Sequence, residues 1–242
     1  MKLYCIGIGP GGAEQMTLRA VRALEACDCV AGYGLYLDLI AELIEGKTRI
    51  QTGMTREVDR CTAARDAAKA GHTVAVVSSG DAGVYGMAGL LLEVCADDPE
   101  LEIEVIPGIT AACSGGAVLG APLTNDFACV SLSDLLTPWE VIEKRLRGAA
   151  QGDFCIALYN PASKKRTGHL QRACDILLET LPAETVCGTV RNIGRDGETY
   201  ILTTLGVLRD TQVDMLTTVF VGNSRTRVIN ARMVTPRGYR GV

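Results

Sequence analysis

The sequence lacks a hydrophobic run long enough to cross a membrane, because Gly, Asp or Arg interrupts every apolar stretch. Its first residues also lack the long apolar region and small-residue cleavage site of a secretory signal. Hydrophobic residues make up 48% and charged residues 21% of the 242, a composition typical of globular proteins. We therefore expect a cytoplasmic protein without a membrane partner, folded as one large or two modest domains.

Clusters of metal-ligating residues are scarce as well. The ten cysteines form no C-x-x-C pair, and His72 and His169 are the only histidines. Zinc and iron–sulfur sites are built from closer sets of ligands. Four cysteines lie in apolar, strand-like runs, where a thiol behaves as a small hydrophobic group: Cys5, Cys129, Cys155 and Cys187. We expect no metal site and mainly structural thiols.

Acidic residues are absent from the last segment of the chain. The net charge is −4 overall, with −7 up to Gly120 and +3 from Ala121 onward, and no acid follows Gly222. A basic half within an acidic protein suits an anionic small substrate better than a nucleic acid, so we expect no nucleic-acid partner.

Strand and helix patterns alternate through the first half of the chain. We predict five strands here, near residues 3–9, 27–33, 48–53, 72–79 and 101–108. Helices are predicted between them, including one over 36–46, so βαβ units should form a mostly parallel sheet. In the second half strands follow one another more directly, which predicts a partly antiparallel sheet. We divide the chain into two α/β domains, 1–114 and 115–242.

The strand that begins at Val74 ends in a glycine-rich turn around Asp81. Open α/β sheets bind ligands at such carboxyl ends, and glycine lets the backbone approach a ligand closely. Gly83, Gly86 and Gly89 follow in what we predict to be a helix. The alternative is a connection whose glycines serve only the turn.

Gly7, Gly9 and Gly12 match the G-x-G-x-x-G spacing of dinucleotide-binding proteins. Pro10, however, removes one backbone donor from that loop, and no acidic residue ends the second strand. An oxidoreductase that binds NAD or FAD is therefore a weaker alternative. Loops after the first, fourth and fifth strands, with two more in the second half, should line one crevice between the domains.

Seven segments resemble the tetrapyrrole (corrin/porphyrin) methylase family: GIGPGG, SSGDAGVYGMAG, VIPGITAA, SLSDLLTPWEVIEKRL, ALYNPASKKR, VDMLTTVFVGNS and MVTPRGY. They span nearly the whole chain. The run SLSDLLTPWEVIEKRL resembles the subgroup that methylates C-17 of precorrin-3B or cobalt-factor III and contracts the ring. The resemblance implies a homodimer, S-adenosylmethionine as cofactor, and an anionic tetrapyrrole substrate. It also implies a two-domain α/β fold, with a mostly parallel N-terminal sheet, a mixed C-terminal sheet and the active site in the cleft between.

The resemblance implies residue roles too. The cofactor-binding positions would be Pro10, Gly80, Asp81, Val84, Thr110, Ala111, Tyr159, Asn160 and Asn192. The catalytic candidates are Asp81, Tyr85 and Asp134. The wider substrate trough adds Asp126, Ser131 and Ser133, and the substrate carboxylates could meet Lys164, Lys165, Arg166, Arg191 and Arg195. Asp134 could instead stand near a helix N-terminus.

The sequence departs from the family pattern at Asn125, where we expect histidine, and at Ala162, where we expect arginine. The pair Gly34-Leu35 replaces a more polar pair. The sequence leaves open whether the substrate carries cobalt, and a non-catalytic tetrapyrrole- or nucleotide-binding module is the alternative function.

Overall fold

The computed structural model describes residues 1–163 and 166–241, in two compact units. The first unit is Met1–Ala111, and the second begins at Ala112. The domain boundary that we predict after residue 114 would fall within a helix, Ala111–Leu119. No helix in the described part of the chain is long and apolar enough to cross a membrane.

The first unit alternates strands and helices. Its strands are β1 (Lys2–Gly7), β2 (Cys29–Tyr33), β3 (Thr48–Thr52), β4 (Val74–Ser78) and β5 (Glu102–Ile106). Its helices are α1 (Leu18–Glu25), α2 (Gly34–Leu39), α3 (Glu57–Lys69) and α4 (Ala88–Val94), and α5 (Ala111–Leu119) begins at its last residue.

The five strands of this unit form one parallel sheet in the order β3-β2-β4-β1-β5. The strand β4 is buried along its whole length, as expected for a parallel strand covered by helices on both faces. Leu3, Val74 and Val76 pack with α3 and α4 on one face, and Ile6 and Val77 pack on the other. Because β1 lies between β4 and β5, the loops that follow these three strands are neighbours.

The strands of the second unit are β6 (Gly120–Ala121), β7 (Phe127–Ser131), β8 (Cys155–Tyr159), β9 (Val186–Arg191), β10 (Thr199–Thr204), β11 (Thr217–Val221), β12 (Arg227–Ile229) and β13 (Arg232–Val234). Its helices are α6 (Trp139–Gln151), α7 (His169–Leu177) and α8 (Leu205–Leu208). The large sheet has the order β10-β9-β11-β8-β7, in which only β7 and β8 pair in parallel. The strands β7, β8 and β9 therefore all end at one edge of the sheet.

The structure confirms the predicted fold class, a parallel N-terminal sheet and a mixed C-terminal sheet, but corrects several local predictions. Helix α2 ends at Leu39, although we predicted it to continue to residue 46. Ile40 and Ile44 are nevertheless buried, although the chain from residue 40 to residue 46 forms turns rather than a helix. The short hairpin of β12 and β13 was not predicted, because its exposed three-residue strands carry little apolar alternation.

Gly83 and Gly86 precede α4 in an irregular loop, so the prediction that places them in a helix is wrong. The Asp81 side chain accepts the backbone N–H groups of Gly83 and Val84, and such local bonds compete with helix formation. A Cβ at Gly86 would also lie 2.5 Å from the Ala82 carbonyl oxygen.

Candidate active site

The loops after β1 and β4 are joined through their glycines. The Gly9 N–H donates to the Gly80 carbonyl at 3.0 Å, and the Gly80 N–H donates back to Gly9 at 2.7 Å. Both residues adopt left-handed backbone conformations, with φ of +71° and +69°, which favour glycine. The pairing fixes the chain beside Pro10, a predicted cofactor residue, next to the turn after β4.

The loop after β5 packs against the same turn without room for a side chain. A Cβ at Gly108 would lie 2.1 Å from the Gly80 carbonyl oxygen, and one at Gly7 would lie 2.6 Å from the Gly108 nitrogen. These glycines are therefore required by close backbone contact. They leave peptide groups, rather than side chains, at the carboxyl edge of the sheet.

Asp81 ties two of these loops together with its carboxylate. Its Oδ1 accepts from the N–H groups of Gly83 at 2.8 Å and Val84 at 3.1 Å, and its Oδ2 accepts from Gly108 at 2.9 Å. Both oxygens are thus engaged with the backbone. This geometry makes Asp81 a hydrogen-bond acceptor that organises the site, and its catalytic role stays a prediction.

The other predicted cofactor residues of the first unit lie around Gly80. The Cβ position of Gly80 is 3.6 Å from Thr110 Cα and 3.7 Å from the Ala111 nitrogen. Val84 is half-buried, and its N–H donates to Asp81 Oδ1. The structure therefore brings Gly80, Asp81, Val84, Thr110 and Ala111 into one cluster.

Tyr85 stands at the tip of the loop after β4. Its backbone φ is +54°, in the left-handed region that non-glycine residues rarely adopt, and its side chain is 53% exposed. Strained conformations of this kind concentrate at functional sites, because the surrounding structure must hold them. The placement suits a side chain that is displayed toward a ligand.

In the second unit, predicted site residues line the edge where β7, β8 and β9 end. Asn160 and Asn192 directly follow β8 and β9, and both are left-handed, with φ of +53° and +54°. The Asn160 amide donates to Ser131 Oγ at 3.0 Å, and the Ser133 N–H donates to the same oxygen at 3.2 Å. Tyr159 accepts the Ala112 N–H at 2.7 Å, in the first turn of α5.

Asp134 interacts with the start of helix α7. Its Oδ2 lies 3.0 Å from His169 Nε2, an ion-pair distance outside hydrogen-bond alignment, and its Oδ1 lies 4.0 Å from Arg166 Nε. The contact with His169 is the main cause that lowers the pKa of Asp134 below its usual value. Asp134 does not cap α6, which begins at Trp139 with Pro138 as its cap, and the helix N-terminus that it contacts is that of α7.

Of the remaining candidates, Arg191 ends β9 at this edge, whereas Asp126 lies at the opposite end of β7. Asp126 precedes β7 and Ser131 ends it, so the length of the strand separates them by roughly 16 Å. Asp126 lines a separate cavity of about 270 Å³, together with Asn125. Among the basic candidates, Arg191 is paired with Asp214 at 2.7 Å. Lys164 and Lys165 lie outside the described residues.

The family model of the tetrapyrrole (corrin/porphyrin) methylases matches residues 2–209. The chain belongs to this family. The resemblance inferred from the sequence motifs is thereby confirmed.

Individual relatives of this tetrapyrrole methylase match over nearly its whole length. It is 50% identical to the probable cobalt-factor III C(17)-methyltransferase of Salmonella typhimurium, over 98% of this chain and 99% of that protein. It is 40% identical to the precorrin-3B C(17)-methyltransferase of a Sinorhizobium species, over 99% of this chain and 97% of that protein. The crystal structure of the methyltransferase CobJ superposes with a TM-score of 0.90 at 39% identity, covering 97% of this chain and 99% of that one.

Sequence reasoning missed one charged residue of this methylase, Arg60. Its side chain is buried on α3 and contacts Thr52, Gly53 and Met87, at the same edge as the glycine loops. Arg60, Ala64 and Ala68 are spaced four residues apart and all buried. That spacing was a signal that the arginine shares the buried face of its helix.

Proposed function

We propose that this tetrapyrrole methylase transfers a methyl group from S-adenosylmethionine to C-17 of a trimethylated corrin precursor, with ring contraction, in cobalamin biosynthesis. The substrate would be cobalt-factor III or precorrin-3B. The observation that carries the proposal is the 50% identity, over 98% of the chain, to a probable cobalt-factor III C(17)-methyltransferase.

The geometry of the first unit fits a cofactor with polar, charged ends. At Gly7, Gly80 and Gly108 any side chain would displace backbone or force strain, so peptide groups are presented instead. Backbone groups can hydrogen-bond an amino acid moiety and a ribose without steric hindrance. We propose that Pro10, Gly80, Asp81, Val84, Thr110 and Ala111 hold S-adenosylmethionine, and that Tyr159, Asn160 and Asn192 also bind it.

S-adenosylmethionine would supply a methyl carbon on a positively charged sulfur, and the bond to sulfur breaks as the bond to the ring carbon forms. Such a displacement needs alignment and exclusion of water more than covalent help from the protein. The Asp81 bonds make the loops rigid and so align the donor. Of the three catalytic candidates, Asp81 accepts backbone hydrogen bonds and Asp134 lies at ion-pair distance from His169. Tyr85 carries the hydroxyl that can donate a proton during ring contraction.

We further propose that the protein is a cytoplasmic homodimer. Support for the homodimer comes from the family resemblance. Light scattering of the purified protein should give twice the 25.7 kDa chain mass.

The decisive experiment incubates the purified protein with methyl-labelled S-adenosylmethionine and either cobalt-factor III or precorrin-3B. We expect one labelled methyl group in a ring-contracted product, identified by mass and absorption spectrum, from one of the two substrates. The same incubation with Asp81→Ala is the control. Binding of cofactor and tetrapyrrole without transfer would favour the binding-module alternative. Binding of NAD in place of S-adenosylmethionine would favour an oxidoreductase.

A further inference from the structure

Arg60 is a buried cation without a carboxylate partner among the described residues. The residue is only 3% exposed. Its Nε donates to Thr52 Oγ1 at 2.9 Å, its Nη2 donates to the Gly53 carbonyl at 3.1 Å, and its Nη1 lies 3.6 Å from Met87 Sδ. No described carboxylate lies within 4.0 Å of it, and only three of the five guanidinium N–H bonds have acceptors among the described residues.

This arrangement differs from that of the other arginines near predicted site residues. Arg191 is paired with Asp214 at 2.7 Å, and Arg166 lies 4.0 Å from Asp134. Because burial of an isolated charge is costly, buried cations in proteins are normally balanced by an acid or a ligand. We therefore expect a bound anion to balance the charge of Arg60.

A cavity adjoins the residues that Arg60 binds. It has a volume of about 460 Å³ and lies at the carboxyl ends of β2 and β3, where Tyr33, Gln51, Thr52 and Gly53 contribute to its wall. Thr52 and Gly53 thus face the cavity and also accept hydrogen bonds from Arg60. Because all five strands are parallel, this cavity opens at the same edge as the glycine loops.

The hydroxyl of Thr52 connects the buried charge to the cavity. Its oxygen accepts from Arg60 Nε, so its own O–H is available to donate to an acceptor in the cavity. A donor polarised by a cation binds an anionic oxygen more strongly than an isolated hydroxyl does. The lining also includes Asp38, which is exposed. Its charge should weaken, without abolishing, the binding of an anion.

We infer that this cavity binds a carboxylate side arm of the tetrapyrrole substrate, with Thr52 as the donor and Arg60 as the positioning residue that balances the charge. The identity of the ligand rests on the proposed function. The observations of the cavity, of the Thr52 donor and of the buried Arg60 cation do not depend on the proposed function.

The test measures binding of cobalt-factor III and of uroporphyrin III, a stable tetrapyrrole that carries carboxylates on every ring, by absorbance and fluorescence titration. Arg60→Met keeps the length and apolar packing of the side chain but removes its charge. We expect Arg60→Met to weaken tetrapyrrole binding by about tenfold and Arg60→Lys to restore part of it. S-adenosylmethionine affinity should stay within about twofold. Asp38→Asn should strengthen tetrapyrrole binding by about two- to threefold, which a purely structural arginine would not predict.

A second pair of variants tests the cavity independently of the charge. A Cβ at Gly53 meets no atom within 4 Å, so Gly53→Leu can fill the cavity without a backbone clash. It should raise the KM for the tetrapyrrole by about tenfold with little change in kcat. Gly148→Leu, on the exposed side of α6 and also without contacts within 4 Å, is the matched control and should change neither constant.

The inference is overturned if Arg60→Met leaves tetrapyrrole affinity unchanged, or if it weakens the cofactor and the tetrapyrrole equally without rescue by Arg60→Lys. It is also overturned if the wild type binds neither tetrapyrrole. Binding of uroporphyrin III that depends on Arg60, without methylation of either precursor, would support the site and contradict the proposed function. Methylation of cobalt-factor III by the wild type, together with unchanged tetrapyrrole affinity in Arg60→Met, would support the proposed function and contradict the site.

Discussion

Asp81 organises the loops of the candidate site through a single carboxylate. Three backbone N–H groups, from Gly83, Val84 and Gly108, converge on its two oxygens. Hydrogen bonds to a charged acceptor contribute more than neutral ones, so the loops after β4 and β5 depend on this side chain.

We expect Asp81→Ala to lower the free energy of unfolding by about 2–4 kcal/mol and Asp81→Asn by about 1–2 kcal/mol. An amide can still accept at one oxygen, but its nitrogen cannot accept from Gly108. Both variants should weaken binding of S-adenosylmethionine, as measured by calorimetric titration beside urea denaturation.

Asp28→Asn is the matched control. Its Oδ2 accepts one N–H, from Thr73 at 2.8 Å, and an amide oxygen can replace it. Normal stability and cofactor affinity of Asp81→Asn, with loss of kcat alone, would show instead that Asp81 is a catalytic residue.

Asp134 predicts a pH dependence of stability. Its pKa is lowered in the folded protein, mainly by His169, relative to an unfolded value of about 3.9. The unfolded chain therefore binds the proton more readily, and the stability that this group contributes is lost as pH falls through its folded pKa.

We expect the stability difference between the wild type and Asp134→Asn to shrink below about pH 4, as the Asp134 carboxylate takes up its proton. Urea midpoints of both proteins between about pH 3 and pH 7 would measure it. His169→Gln should abolish most of the pH dependence. A difference that grows on acidification would contradict the assignment.

Among the elements, the three loops after β1, β4 and β5 act as one unit. Backbone groups hold them together, and Gly7, Gly9 and Gly108 have no space for a Cβ. The loops could be predicted from the sequence, because glycines follow apolar strand runs and parallel strands share an edge. The hydrogen bonds between the loops could not be predicted, because they depend on the position of β1 between β4 and β5.

Gly108→Ala should destabilise the protein by about 2 kcal/mol or more, because its Cβ would lie 2.1 Å from the Gly80 carbonyl oxygen. Gly89→Ala, in α4 with no atom within 4 Å of its Cβ, should stabilise the protein by about 0.5–1 kcal/mol. Thermal denaturation of both variants measures the contrast. Equal effects would show that the loop tolerates a side chain at Gly108.

For the whole molecule, the ten cysteines provide a test of burial. Eight are buried, Cys129 is intermediate and Cys113 is exposed. Burial raises the pKa of the Cys5 and Cys174 thiols to about 12, and that of Cys61 to about 11. Because the thiolate is the reactive form, such thiols are inert in the folded state.

We expect iodoacetamide at pH 8 to alkylate Cys113 first, with the eight buried thiols reacting only in urea. Peptide mass spectrometry over a time course measures the order, and Cys113→Ala should remove the fast phase. Rapid labelling of Cys5 or Cys174 in the native protein would contradict the core packing.

Periodicity and local motifs in the sequence were enough to predict the alternation of strands and helices in the first unit, the glycine-rich ends of β1, β4 and β5, and the family. The folded structure was needed to show that Asp81 Oδ2 accepts from Gly108, that Asp126 and Ser131 lie at opposite ends of β7, and that Arg60 is buried beside a cavity. These depend on contacts between residues distant in the chain, which strand order and packing establish and local pattern does not.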